Sequence, residues 1–179
     1  MLKGIPALIS PELIKILMEM GHGDELVIAD GNFPAASIAQ RLVRADGLDI
    51  PPLLDAILTV FPLDQYVERP VALMAVVSGN PYQPVIWEEY RSIVKRHEAG
   101  FSDFEFVERF AFYERAKKAY AVLASSEKAL YANIVIKKGV DFLQVHNLPF
   151  QGCKDHPPAL GAKVNSDVTL RIRHGSSST

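Results

Sequence analysis

Two titratable side chains, His22 and Asp30, stand on either side of a short apolar run and have the chemistry of an acid/base pair. His22 lies between Gly21 and Gly23, where a preceding helix dipole favours a positive charge and the glycines leave room for a ligand. Asp30 follows residues 26–29, whose continuous apolar character predicts a buried strand. Histidine can exchange protons near neutral pH, and a carboxylate accepts hydrogen bonds from hydroxyl groups. The pattern therefore predicts a proton-transfer site beside a buried strand.

The elements that position these residues follow from local sequence signals. Ser10 is a good N-cap, Pro11 suits the first position of a helix, and Gly21 is predicted to end that helix in a left-handed conformation. Further strands are predicted at residues 43–45, 71–77, 104–107 and 130–136, and further helices at residues 51–61, 87–94 and 112–123. Because strands and helices alternate, we expect an α/β fold, a three-layer α/β/α sandwich around a largely buried sheet.

Composition limits the classes of function. The chain has 179 residues, of which 49% are hydrophobic and 22% charged, with a net charge of −2. This balance predicts an ordinary globular domain without an electrostatic surface for nucleic acid or anionic membrane, so the substrate should be neutral or small. Cys153 is the single cysteine, and neither a signal peptide nor a membrane-spanning segment is evident. We therefore expect a cytosolic protein.

The domain organisation changes near the C-terminus. Residues 1–143 read as one domain, whereas residues 144–179 are rich in proline, glycine and serine and contain few large apolar side chains. We expect this second segment to be an atypical extension, loosely packed or disordered. Its histidines and Cys153 form only a weak metal-binding pattern, so no metal site is predicted.

Several collinear motifs resemble one known family. They are GIPALISPEL, MGHGDELVIAD, NFPA, RADG, ERFAFYERAKKAYAV and LYANIVIKKGV, which begin at residues 4, 20, 32, 44, 108 and 130. Together they span about the first four-fifths of the chain, and they resemble the RbsD/FucU family of sugar mutarotases, most of all its L-fucose branch. The resemblance implies an isomerase that interconverts the α and β anomers of L-fucose by acid/base ring opening, without a cofactor, on an RbsD-like fold.

The resemblance also implies roles for individual residues. It implies that His22 is the proton donor and that the sugar is held by Asp30, Arg109 and the segment Tyr131, Ala132 and Asn133. Family members usually have glycine where this chain has Ala132, a departure that should matter little if the backbone makes the contact. The resemblance further implies a ring-shaped homo-oligomer, a decamer, with sites between neighbouring subunits.

Each of these residues also has an ordinary structural interpretation. His22 could cap the C-terminus of its helix, and Asp30 could cap the turn that follows it, while Asp24 competes for the carboxylate role. Arg109 could form a surface ion pair, and Tyr131 could be a strand aromatic. For function, the alternatives are a ribose pyranase, which interconverts pyranose and furanose forms, and a non-catalytic sugar-binding or regulatory subunit.

Overall fold

The polypeptide folds around one mixed sheet of six strands, as seen in a computed structural model that describes residues 2–141. The strands are β1 (Glu25–Ala29), β2 (Leu42–Ala45), β3 (Val71–Met74), β4 (Glu105–Val107), β5 (Ala121–Ser125) and β6 (Ile134–Lys137). The helices are α1 (Pro11–Glu19), α2 (Ala35–Ile38), α3 (Ile50–Leu58), α4 (Ile86–His97) and α5 (Arg109–Lys118). The predicted C-terminal extension lies outside the described residues.

The strand order decides which loops meet at each edge of the sheet. The order is β2-β5-β1-β6-β3-β4, and β6 runs antiparallel to both of its neighbours, whereas the other neighbouring pairs are parallel. The start of β6 therefore lies at the same edge as the carboxyl ends of the five other strands. The loops at this edge carry Asp30, Tyr131 and Asn133, and helix α5 begins there with Arg109.

Two apolar clusters cover the two faces of the sheet. One contains buried residues of α1, α3 and α4 packed on side chains such as Leu26, Ile28 and Leu123. The other contains residues of α2 and α5 packed on Val27, Val122 and neighbouring strand residues. Alternate residues of one strand thus point into opposite clusters, as the pleat of a strand requires. The predicted three-layer α/β/α sandwich is confirmed.

The start of α1 follows its capping residues. The Ser10 hydroxyl accepts a hydrogen bond of 3.1 Å from the Leu13 amide, and Pro11 occupies the first helical position. The helix ends at Glu19, and Gly21 is not in the left-handed conformation. The residue of this turn that adopts that conformation is Gly23, with φ 86°. The prediction for Gly21 was therefore wrong by two residues.

The segment between residues 108 and 125 differs most from the sequence prediction. The Glu108 carboxylate accepts hydrogen bonds from the amides of Phe110 and Ala111, so α5 begins at Arg109 and not at residue 112. The helix ends at Lys118, and the apolar residues that follow it form β5. Because a parallel strand buried on both faces has no alternation of polar and apolar residues, its sequence does not distinguish it from the end of a helix.

Three other elements, β3, α3 and β6, are shorter than predicted. Strand β3 ends at Met74 and not at residue 77, α3 ends at Leu58 and not at residue 61, and β6 begins at Ile134 and not at residue 130. In the last case Tyr131 has φ 58°, which is incompatible with an extended strand.

Candidate functional site

Asp30 and Asn133 form the centre of the site at the edge where β1 ends and β6 begins. The Asp30 amide donates to Asn133 Oδ1 at 2.9 Å, and Asn133 Nδ2 donates to Asp30 Oδ2 at 2.7 Å. Both residues are buried, and Asp30 is only 7% exposed. The two hydrogen bonds fix the orientation of the carboxylate and of the amide relative to each other.

The loop after β1 supplies further hydrogen bonds to Asp30. The Asn32 amide donates to Asp30 Oδ1 at 2.9 Å, so the aspartate does cap the following turn, as its structural interpretation predicted. Burial raises the pKa of Asp30, while hydrogen bonds from the Asn32 amide and the Asn133 side chain partly offset this effect. Capping a turn and lining a cavity are therefore compatible roles for one carboxylate.

Tyr131 is held by aromatic and polar contacts beside this pair. Its ring stacks on Tyr82 with a centroid distance of 5.9 Å, and Asn80 Nδ2 donates to the Tyr131 hydroxyl at 3.2 Å. Arg109 stands at the start of α5, with its guanidinium 5.8 Å from the ring centroid of Tyr113. A hydrogen bond with Tyr113 raises the pKa of Arg109, so the guanidinium stays charged.

One cavity of about 320 Å³ brings most of the predicted binding residues together. Its polar lining comes from Asp30, Asn32, Asn80, Arg109 and Asn133, with the phenols of Tyr113 and Tyr131, and its apolar lining from Phe33, Met74, Val77 and Leu130. Donors, acceptors and apolar surface in a small open cavity suit a polar, uncharged ligand such as a sugar.

Ala132 is the one predicted binding residue whose side chain does not line this cavity. It is completely buried, and its carbonyl oxygen accepts a hydrogen bond of 2.8 Å from the Tyr90 hydroxyl. Its contribution is therefore to the backbone between Tyr131 and Asn133, in agreement with the sequence analysis.

His22 lies at the opposite edge of the sheet from Asp30. It precedes β1 whereas Asp30 follows it, and a five-residue strand is about 17 Å long. Within one chain the imidazole and the Asp30 carboxylate therefore do not converge on one cavity, contrary to the geometry that their spacing suggested. The sequence could not show this separation, because it depends on the chain running straight through the sheet between the two residues.

The partner of His22 is a buried carboxylate. His22 Nε2 lies 3.1 Å from Asp64 Oδ1; the His22 side chain is 47% exposed, and that of Asp64 only 4%. Burial opposes ionisation of Asp64, but hydrogen bonds from the Tyr66 amide and from His22, with the charge of Lys137, lower its pKa overall. An ionised carboxylate thus holds one imidazole nitrogen while the ring remains accessible from outside.

Backbone contacts fix the turn that carries His22. The Gly23 amide donates to the Lys138 carbonyl, and the Lys138 amide donates to the Asp24 carbonyl, both at 2.8 Å. Lys138 Nζ also donates to the carbonyls of Leu17 and Met20 at the end of α1. The C-terminal capping role considered for His22 is therefore filled by Lys138.

Asp64 and Asn80 were not among the residues predicted for the site, and Tyr113 belonged to a group of aromatic residues expected mostly in the core or in subunit contacts, some of which could line the apolar face of a sugar. Asp64 follows an apolar leucine in a stretch without a regular period, and only its distance to His22 reveals it. Asn80 lies in the segment Ser78-Gly79-Asn80-Pro81, whose composition predicts only a turn. For Tyr113 a signal existed, since it lies four residues after Arg109 and so on the same helix face.

Residues 2–141 contain no cluster of three or more histidine, cysteine, aspartate or glutamate side chains that could hold a metal ion. The helices found among these residues are all too short or too polar to cross a bilayer. The weak histidine and cysteine pattern of the C-terminal extension falls outside the described residues.

Comparison with known proteins identifies relatives that match about four-fifths of this chain. The chain is 53% identical over 140 residues to the L-fucose mutarotase of Actinobacillus pleuropneumoniae serotype 5b (strain L20), covering 78% of this chain and 97% of the relative. It is 54% identical over 146 residues to the fucose mutarotase of Homo sapiens, covering 78% of this chain and 94% of the relative.

Solved protein structures that resemble this chain come from the same kinds of protein. The fucose mutarotase of Streptococcus pneumoniae, in complex with L-fucose, matches with a TM-score of 0.74 and 52% identity over 78% of this chain and 99% of that one. RbsD of Bacillus subtilis, complexed with D-ribose, matches with a TM-score of 0.60 and 23% identity over 79% of this chain and 100% of that one. This likeness is one of fold alone. The sequence also matches the RbsD / FucU transport protein family over residues 3–141. The chain therefore belongs to the RbsD/FucU family.

Proposed function

We propose that this protein is an L-fucose mutarotase, an isomerase that interconverts the α and β anomers of the sugar. The observation that carries the proposal is the cavity in which Asp30, Arg109, Tyr131 and Asn133 meet. Its volume lies at the lower end of the range for small-molecule sites, which suits a monosaccharide. Relatives about half identical to this chain are named L-fucose mutarotase or fucose mutarotase, and one fucose mutarotase has been solved with L-fucose bound.

The binding residues suit vicinal hydroxyl groups. The Arg109 guanidinium presents a planar set of donors, while the Asp30 carboxylate has lone pairs beyond those used by Asn32 and Asn133. The Tyr131 ring offers a flat surface to the apolar face of the sugar ring. Ala132 contributes through its backbone.

The reaction requires only proton transfers. A base removes the proton of the anomeric hydroxyl, the bond between the anomeric carbon and the ring oxygen breaks, and an acid protonates that oxygen. The open-chain aldehyde rotates and recloses on its other face with the two proton transfers reversed. Atoms and charge are unchanged overall, so no cofactor or metal is needed.

His22 is the proton donor in this proposal. When Nε2 carries the hydrogen bonded to Asp64, Nδ1 is left to exchange a proton with the sugar. Because His22 lies at the opposite sheet edge from its own cavity, it would serve the cavity of a neighbouring chain. Its half-exposed side chain is consistent with that arrangement.

The assembly that this requires is a homo-oligomer. We propose the ring-shaped decamer and the cytosolic location that the sequence analysis expected. A ring is the closed form of a repeated head-to-tail contact, in which the surface around His22 of one chain meets the cavity edge of the next.

Saturation-transfer NMR tests the proposed activity directly. The full-length protein is added to L-fucose, and transfer between the α and β anomeric resonances is compared with buffer alone and with a His22→Ala variant. We expect faster exchange with the wild type and near-complete loss of this acceleration in the variant, with L-fucose binding retained. Acceleration of ribose ring-form exchange without fucose exchange would identify a pyranase, and binding without any exchange would identify a sugar-binding subunit.

A further inference from the structure

The backbone of Tyr131 is in an unfavourable conformation. Among the residues that the structure describes, it is the one non-glycine residue with positive φ, at 58°. A bulky side chain disfavours this left-handed region, and residues held there persist only where surrounding contacts impose the conformation. Since Tyr131 lines the cavity, the contacts that impose it also decide where the phenol ring stands.

Two side-chain donors of α4 bind the backbone at this position. The Trp87 indole Nε1 donates to the Tyr131 carbonyl at 2.9 Å, and the Tyr90 hydroxyl donates to the Ala132 carbonyl at 2.8 Å. Trp87 and Tyr90 are three residues apart and so lie on one face of the helix. Neither residue is among those that line the cavity.

The second of these donors is held rigidly. Tyr90 is completely buried in the cluster that packs α1, α3 and α4 against the sheet. Burial, with the charges of Glu127 and Asp30, raises the pKa of Tyr90, so its hydroxyl remains a donor at any physiological pH. Helix α4 is thus connected to the cavity wall by the hydrogen bonds of Trp87 and Tyr90.

We propose that Trp87 and Tyr90 are positioning residues, whose hydrogen bonds to adjacent carbonyls hold Tyr131 in its left-handed conformation and thereby place its ring in the sugar cavity. The inference rests on the proposed function, because it assigns the Tyr131 ring to the substrate. It adds residues of α4 to the site, although the sequence pattern indicates only an amphipathic surface helix there. The ring itself also contacts Tyr82 and Asn80, which are both exposed.

The alternative is that the two donors only satisfy carbonyl groups that would otherwise be unpaired. Both interpretations predict some loss of thermal stability when a donor is removed, so stability does not distinguish them. They differ in the affinity for sugar, which falls only if the donors control the ring of Tyr131.

The test compares Tyr90→Phe and Trp87→Phe with Tyr120→Phe in the full-length protein. Tyr120 is the matched control, because its hydroxyl contacts Glu19 and lies outside the cavity lining. We expect Tyr90→Phe and Trp87→Phe each to weaken L-fucose binding by about fivefold to tenfold, as for the loss of one good hydrogen bond, with kcat changed less than about twofold. Tyr120→Phe should leave both unchanged. Unaltered affinity in both α4 variants overturns the inference.

A double-mutant cycle with Tyr131→Gly separates positioning from general destabilisation. Glycine adopts the left-handed conformation without cost and has no ring to place, so adding Tyr90→Phe to Tyr131→Gly should not weaken binding further. An equal loss of affinity in both backgrounds overturns the inference.

A crystal structure of sugar-free Tyr90→Phe/Trp87→Phe provides a readout that is independent of L-fucose. We expect Tyr131 to leave the left-handed region or its ring to leave the cavity wall, whereas an unchanged Tyr131 overturns the inference. If the wild type binds no L-fucose, the proposed function fails, yet this structure still decides the role of α4. If the double variant does not fold, the two single variants are crystallised for the same comparison.

Discussion

Asp30 and Asn133 exchange two hydrogen bonds across 103 residues of sequence. The antiparallel pairing of β1 with β6, in which Ile28 lies opposite Ile134, brings the end of one strand to the start of the other. The carboxylate is buried, and burial of a charge is tolerated only where hydrogen bonds compensate for lost water. Asn133 is therefore a structural partner of Asp30 as well as a candidate ligand for the sugar.

Replacing Asn133 by alanine should affect stability and binding together. The change removes one donor to Asp30 and the acceptor of its amide, so we expect a loss of about 1–3 kcal/mol in the free energy of unfolding. L-fucose affinity should fall as well. Urea unfolding and calorimetric titration measure the two effects. Asn80→Ala is the control for stability, since this exposed residue should change it by less than about 0.5 kcal/mol; equal effects of the two variants would contradict the structural role of Asn133.

Asp30 should make stability depend on pH in a defined direction. Because its pKa in the folded state is raised, the folded state holds a proton more tightly than the unfolded state. The contribution of Asp30 to stability is therefore fully present below its unfolded pKa of 3.8 and is lost as the pH rises through the folded value. Asp30→Asn removes this titration. The stability of the variant relative to the wild type should thus rise with pH across this window, as measured by urea unfolding at pH 3 to 7, and a flat difference would show that the pKa is not raised.

The fold could be predicted from sequence where each element carries a local signal. Ser10 with Pro11 marked the start of α1, and the apolar run before Asp30 marked β1. Strand β5 could not be distinguished in this way, because residues buried on both faces of a sheet show neither a helical nor an alternating period. Its place beside β1 depends on pairing between distant segments, which no local pattern contains.

The site could be predicted from sequence mainly through the family resemblance. Asp30, Arg109, Tyr131 and Asn133 do line one cavity, although their spacing alone allowed surface and capping roles. The spacing of His22 and Asp30 suggests an acid/base pair, but strand β1 extends between them and places them at opposite edges of the sheet within one chain. Asp64 had no sequence signal and is identified only by its contact with His22.

Asp64→Asn should reduce catalysis while leaving sugar binding intact. An ionised carboxylate accepts a strong hydrogen bond from the His22 ring and so fixes its orientation, and an amide does this less well. We expect the saturated rate of L-fucose anomer exchange to fall by about 10- to 100-fold, with the dissociation constant nearly unchanged. Asp46→Asn, which changes an exposed carboxylate paired with Arg44, is the control. A full exchange rate in Asp64→Asn would remove this carboxylate from the mechanism.

Gly139→Ala should disturb the contact between His22 and Asp64 through the backbone. A Cβ atom at Gly139 would overlap the carbonyl of Leu63 and approach the Cα of Asp64, so one of the two segments must move. We expect a loss of stability of about 1–3 kcal/mol, as in other overpacked sites. Thermal and urea unfolding measure it against Gly100→Ala, where the added atom would meet only the flexible side chain of Glu98. Similar stability of the two variants would show that the close approach at Gly139 is not a constraint.

Mixing two inactive variants tests whether a site is shared between chains. His22→Ala keeps Arg109, and Arg109→Ala keeps His22, so neither variant alone can complete a site. Suppose that each site takes His22 from one chain and Arg109 from its neighbour. An intact site then needs the Arg109→Ala variant in the first position and the His22→Ala variant in the second. Random co-assembly of equal amounts meets both conditions at about a quarter of the sites. The variants are co-expressed or unfolded and refolded together, and anomer exchange is compared with that of each variant alone. If both residues act within one chain, every site retains one lesion and mixing restores no activity.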